Sequence, residues 1–165
     1  MKKVIVCGPY NAGKTTFVKN INRKEFVGTD EPEIDISSLE ELETTTTVGV
    51  EVNFLNLGNK EVMFVGVPGQ FKFDFIWEVI GGQFDGIVFV CPSFLPPSEI
   101  RSYINYFSKL DSYERAYKIL LLTYPEKADR EKLSAFYSLG LPVRIIDPTD
   151  ESAVKAVAFE IATRV

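Results

Sequence analysis

Val4-Ile5-Val6-Cys7-Gly8-Pro9-Tyr10-Asn11-Ala12-Gly13-Lys14-Thr15 is an apolar run that breaks into a glycine-bounded loop. A helical pattern, Thr16-Phe17-Val18-Lys19-Asn20-Ile21, follows at once. Strand, loop and helix in this order make a phosphate cradle. The glycines let successive backbone N–H groups turn inward around phosphate oxygens, and the helix that follows points its positive end at them. Lys14 is spaced to reach the outer phosphates, and the Thr15 hydroxyl is a ligand for Mg²⁺. The expected phosphate contacts are therefore Gly8, Tyr10, Asn11, Ala12, Gly13, Lys14, Thr15 and Thr16. A nucleoside triphosphate is the implied ligand; the competing reading is an ordinary glycine-rich turn.

Outward from this stretch, strand and helix patterns alternate. The first strand spans Lys2 to Cys7 and the first helix Lys14 to Asn22. Val48 to Leu57 and Glu61 to Val67 flank Gly58-Asn59-Lys60, which predicts an antiparallel hairpin. Gly86 to Cys91 and Lys118 to Thr123 are nearly unbroken apolar runs, the pattern of strands buried on both faces of a parallel sheet. Val143 to Ile146 makes a last strand. Helices are predicted near Phe73–Ile80, Ser98–Leu110 with Ser98 as N-cap, Glu126–Leu139 and Glu151–Thr163. Six strands and five helices predict a three-layer α/β fold, mostly parallel with one antiparallel edge strand. Its ligand belongs at the carboxyl edge of the sheet.

At 165 residues the chain has the length of one domain, 1–165, able to bury a proper core. There is no histidine, which removes histidine general bases, the serine–histidine triad and most zinc sites. Cys7 and Cys91 end apolar runs and read as buried thiols of a reducing cytoplasm. The net charge of −5 is unevenly spread, because Glu25 to Asn59 contains acids but no Lys or Arg. No basic stripe interleaves with aromatics, so nucleic acid is not an expected partner. The residues also predict no membrane span, no signal peptide and no lipid anchor.

Three motifs in order make the whole chain resemble the Ras-like small GTPases, in particular a prokaryotic branch with a Gly-x-Pro-Gly-Gln second switch. The phosphate loop is the first. Thr44-Thr45-Thr46-Thr47-Val48-Gly49-Val50-Glu51 is similar to the first switch, which implies that Thr47, or else Thr46, ligates Mg²⁺ and senses the γ-phosphate. Phe64-Val65-Gly66-Val67-Pro68-Gly69-Gln70 resembles the second switch. The resemblance implies that the Gly69 amide meets the γ-phosphate and that Gln70, with Lys14, is catalytic, Gln70 orienting the attacking water. One departure stands out: the family's strand-end aspartate, which supports the Mg²⁺ shell, is Gly66 here.

Base recognition departs further. The family's Asn-Lys-x-Asp segment, whose aspartate takes both guanine N–H groups, is replaced by Thr123-Tyr124-Pro125-Glu126. Glu126 either supplies that carboxylate from one methylene further out or begins the next helix, where an acid favours the dipole. Asp147, in Asp147-Pro148-Thr149, either faces the base or starts a turn. Tyr10 either lies over the phosphates, obstructing an arginine finger, or turns outward.

The resemblance implies a cytoplasmic GTP/GDP switch using Mg²⁺ that hydrolyses slowly and controls a protein partner. Phe71, Phe73, Phe75 and Trp77 form two i,i+4 pairs if helical, more than one helix buries beneath its own domain, so they are a candidate regulator or effector surface. The acidic segment Thr29 to Glu43 reads as a surface loop, solvated or steering a cation or basic partner. Two rivals remain: a degenerate nucleotide-binding scaffold without significant hydrolysis, and a P-loop protein, such as a small kinase, with ATP or relaxed ATP/GTP specificity.

Overall fold

A computed structural model of the chain describes residues 1–28, 50–67 and 82–165. Its strands are β1 (Lys2–Cys7), β2 (Glu51–Leu57), β3 (Lys60–Gly66), β4 (Gly86–Pro92), β5 (Tyr117–Thr123) and β6 (Val143–Ile145). The helices among the described residues are α1 (Lys14–Ile21), α2 (Ser98–Phe107), α3 (Arg130–Tyr137) and α4 (Glu151–Arg164). The six strands form one sheet in the order β2-β3-β1-β4-β5-β6. Only β2 runs antiparallel; every other neighbouring pair is parallel. The predicted fold class is the one observed.

Alternation along the strands sorts the core into two layers. Val4, Val6, Val88, Val90, Ile119 and Leu121 face one side and pack with Phe17 and Val18 of α1 and Val154, Ala158 and Ile161 of α4. Their neighbours Ile5, Cys7, Ile87, Phe89, Cys91, Leu120 and Leu122 face the other, with Ile100 and Phe107 of α2 and Phe136 of α3. A period of two on strands covered on both faces produces both layers from one apolar run.

β1 lies between β3, reached through α1 and β2, and β4, reached on the opposite side. The connection leaving the carboxyl end of β1 runs to the β3 side and the one leaving its neighbour β4 runs to the β5 side, and such a divergence is where an open α/β sheet leaves a crevice for a ligand.

Several local expectations change. The β2–β3 turn is only Gly58-Asn59, with Gly58 at φ 62°, so Lys60 already belongs to β3. α2 begins at Ser98, but the capping position is Pro97 and no side chain caps it. The predicted helix from Glu126 is two pieces. Pro125–Lys127 is a single 3₁₀ turn, Ala128 is extended, and α3 starts only where Asp129 accepts from the Lys132 amide at 2.9 Å. A competent N-cap placed four residues later captured the helix start. The predicted helix Phe73–Ile80 and the acidic segment Thr29–Glu43 lie outside the described residues.

Candidate functional site

Gly8 leaves β1 at φ 151° so close to β4 that a Cβ there would stand 1.9 Å from the Val90 carbonyl oxygen. Gly13, at φ 98°, closes the loop where a Cβ would press on the Pro148 ring at 2.9 Å. Between them Asn11 adopts φ 56°, a left-handed conformation that asparagine tolerates better than most residues. Gly13 is also the N-cap of α1, and among the described residues it offers no side-chain cap to the first amides of that helix. Amides and a helix dipole so placed are what an anion would meet at such a loop.

Lys14 is 7% exposed. Its ammonium turns back and donates to the Gly8 and Pro9 carbonyls, each at 2.8 Å. Loop and lysine are thus one hydrogen-bonded unit, with the charge delivered to the loop itself. The Thr15 hydroxyl donates to Glu51 Oε1 at 2.7 Å, joining the head of α1 to the first residue of β2. A hydroxyl and a carboxylate at this distance are hard oxygen donors of the kind Mg²⁺ takes, and the pair fits that ion. Glu51 was not among the expected site residues.

Beside the loop lies a cleft of about 260 Å³ lined by Ala12, Gly13, Thr16, Tyr124, Pro125, Glu126, Asp147, Pro148 and Thr149. It brings Thr16, Glu126 and Asp147 to the phosphate loop, as a base site must. Glu126 and Asp147 are both exposed. Asp147 accepts from the Thr149 hydroxyl at 2.7 Å and the Thr149 amide at 2.9 Å. These bonds, the hydroxyl's first, hold its carboxyl below the usual carboxylate range. The Glu126 carboxylate makes no hydrogen bond or ion pair among the described residues.

Thr123 is 1% exposed and donates its hydroxyl to the Ala12 carbonyl at 2.7 Å. Tyr10 is 54% exposed and takes no part in lining the cleft. Thr47, Gly69, Gln70, Phe71, Phe73, Phe75 and Trp77 all lie outside the described residues.

Tyr124, Pro125, Pro148 and Thr149 line the cleft without being among the expected site residues. Tyr124 sits at φ 55°, ψ 60°, its carbonyl accepting from Ser93 Oγ at 2.7 Å and its hydroxyl donating to the Asn11 carbonyl at 3.0 Å. Its ring meets Phe94 edge-on, with the Lys127 ammonium over both rings. Pro148 abuts Gly13 and accepts from the buried Asn20 amide at 2.8 Å. The signal for Tyr124 was its place directly before Pro125, where the helical region is disfavoured.

No family model matches the chain. ADP-ribosylation factor-related protein 1 of Rattus norvegicus is 25% identical over 131 residues, covering 78% of this chain and 60% of the relative. Its Bos taurus counterpart is 28% identical over 93 residues, covering 54% and 41%. The matches thus span less than two thirds of these curated relatives. Among solved structures, the G domain of the T. maritima FeoB iron transporter superposes with a TM-score of 0.68 over 99% of this chain and 98% of that one, at 18% identity. The bacterial selenocysteine-specific elongation factor EF-Sec gives 0.67 over 99% of this chain and 29% of its own, at 16% identity. Sheet order, phosphate loop and these superpositions agree: the chain has the small-GTPase form of the P-loop NTPase fold.

Proposed function

We propose that this chain is a single-domain, cytoplasmic guanine-nucleotide switch with slow magnesium-dependent hydrolysis of GTP, acting on a protein partner. The observation that carries the reading is the continuity of a built phosphate loop with a cleft holding two acids. Lys14 and the open amides of α1 meet the phosphates, and Thr16, Glu126 and Asp147 line the space the base would take. The GDP and GMPPNP forms solved for the FeoB cytosolic domain support a guanine nucleotide on this fold.

Thr15 and Glu51, with Thr47 from the first switch, would hold the metal. Bound there, the metal would supply charge neutralisation at the outer phosphates. The protein supplies position: Lys14 fixes the outer phosphates, the Gly69 amide holds the γ-phosphate, and Gln70 orients water. Loss of the γ-phosphate releases Thr47 and Gly69, which is how such a fold signals. Phe71, Phe73, Phe75 and Trp77, directly after Gln70, give the partner surface.

Equilibrium binding of labelled GTP, GDP, ATP and ADP to the purified chain tests this reading. Micromolar or tighter guanine binding, at least about tenfold over adenine, is expected. Equal or tighter ATP binding overturns the guanine assignment. A Gln70→Ala chain releasing phosphate in a single turnover as fast as the parent overturns the role of Gln70, and a parent that binds nucleotide but releases no phosphate leaves the scaffold reading.

A further inference from the structure

Gly66 ends β3 where the resembled family keeps the aspartate of its magnesium shell. Its neighbour explains the glycine. In the antiparallel register Gly66 stands directly opposite Glu51 of β2. A Cβ built on Gly66 would lie 3.2 Å from Glu51 Oε2 and 3.4 Å from Glu51 Cβ. On the other flank, a Cβ on Gly28 would lie 3.1 Å from Glu51 Cγ. The Glu51 side chain thus runs between two glycines, and both contacts are tighter than a side chain at either position would comfortably accept. It emerges with Oε1 2.7 Å from the Thr15 hydroxyl.

From this geometry we infer that Glu51 is the carboxylate of the magnesium site, delivered from β2 in place of the family's β3 aspartate, and that Gly66 is the space it requires. The inference rests on the nucleotide-switch reading above. A β2 residue opposite the β3 terminus approaches Thr15 from the adjacent strand, so the negative charge is kept while its origin moves by one strand. An anionic oxygen bonded to a hydroxyl ligand orients that ligand and raises metal affinity, and its loss typically costs about 10–100-fold. Gly66 therefore does not signal a metal-free scaffold.

The test compares fluorescent GDP affinity in millimolar MgCl₂ and in EDTA for the full chain and for Glu51→Gln, with circular dichroism checking the fold. The parent is expected to bind more tightly with magnesium, and Glu51→Gln is expected to lose at least ~10-fold of that magnesium effect. An unchanged magnesium effect in Glu51→Gln overturns this inference alone, whereas a parent that binds GDP with no magnesium effect overturns it together with the magnesium dependence proposed above. A folded parent that binds no nucleotide overturns the switch reading with it. Glu51→Ala and Glu51→Ala/Gly66→Asp form a second pair, in which the alanine clears the space that Gly66 leaves for Glu51. The double variant is expected to recover magnesium dependence, and one no better than Glu51→Ala overturns the exchange of strands.

Discussion

The Thr123 hydroxyl, at the end of β5, donates to the Ala12 carbonyl in the phosphate loop at 2.7 Å, and both residues are essentially out of contact with solvent. The strand that leads into the proposed base cleft and the loop proposed to hold the phosphates are therefore joined by one buried bond. Replacing Thr123 with the similarly shaped Val leaves the Ala12 carbonyl without that donor, at a cost of about 1–3 kcal/mol. Urea unfolding should show a lower midpoint with an unchanged slope. Because the hydroxyl is turned to the backbone, the ratio of GTP to ATP affinity should stay near the parent value. A variant of parental stability whose base preference has collapsed would put this hydroxyl on the base instead.

Gly8 makes a sharper prediction. A methyl group there meets the Val90 carbonyl oxygen at 1.9 Å and forces a side chain into φ 151°. Neither neighbour is a flexible side-chain end, since the obstacle is backbone of the central strand β4. Gly8→Ala should cost on the order of 4 kcal/mol or more, the range of exceptional single substitutions. Its melting temperature reads this directly, and a melt within a degree or two of the parent would overturn it. Gly58→Ala is the control: nothing lies within 4 Å of a Cβ at Gly58, so only the φ of 62° is strained and the loss should be about 1 kcal/mol.

These glycines show what was legible beforehand. The loop, the six strands and the antiparallel edge could be read because each rests on local pattern: strand-length apolar runs, a glycine-bounded loop, a short glycine-led hairpin turn. Tyr124 and Glu51 could not. Glu51 matters because cross-strand register sets it opposite Gly66 and beside Thr15, a relation between segments 15 and 36 residues apart that no single motif contains. Gly66 alone read as a deficit, and only its partner makes it a cradle. The start of α3 was missed for a different reason. Glu126 and Asp129 both offer helix-start chemistry, and the left-handed Tyr124 settles the competition by forcing a separate turn first.

The two thiols should be inert in the fold. Burial pushes the Cys7 thiol up, with the nearby Lys14 charge opposing it only in part, and burial pushes Cys91 up to about 12. Each stays protonated in the native chain where the unfolded chain ionises, near pH 9. Stability from these groups is therefore complete below pH 9 and is lost as pH rises from there toward 12, at about 1 kcal/mol per thiol by one unit above pH 9. A disulfide reagent at pH 8 should titrate neither cysteine until denaturant is added, and urea midpoints should fall between pH 8 and pH 10. Rapid native labelling would contradict the burial of both.

Two carboxylates line the cleft proposed for the base, and their hydrogen bonding distinguishes them. Reading guanine takes two acceptor oxygens presented together to its adjacent N–H groups, worth about 1–3 kcal/mol of discrimination when well made. Asp147 already spends Oδ1 on both the amide and the hydroxyl of Thr149, and that partnership lowers its pKa, so it serves its own turn. Glu126 has neither oxygen engaged among the described residues, and the 3₁₀ turn after Tyr124 holds its backbone at the cleft wall. Glu126→Gln keeps the size but swaps one acceptor for a donor facing a donor. It should therefore lower the GTP-over-ATP affinity ratio by about tenfold, since each 1.4 kcal/mol is a factor of ten. Asp147→Asn should leave that ratio within about threefold while lowering stability slightly through the weakened Thr149 contacts. Measured as paired GTP and ATP dissociation constants, a larger loss in Asp147→Asn than in Glu126→Gln would reverse the assignment and put the base carboxylate on the β6–α4 connection.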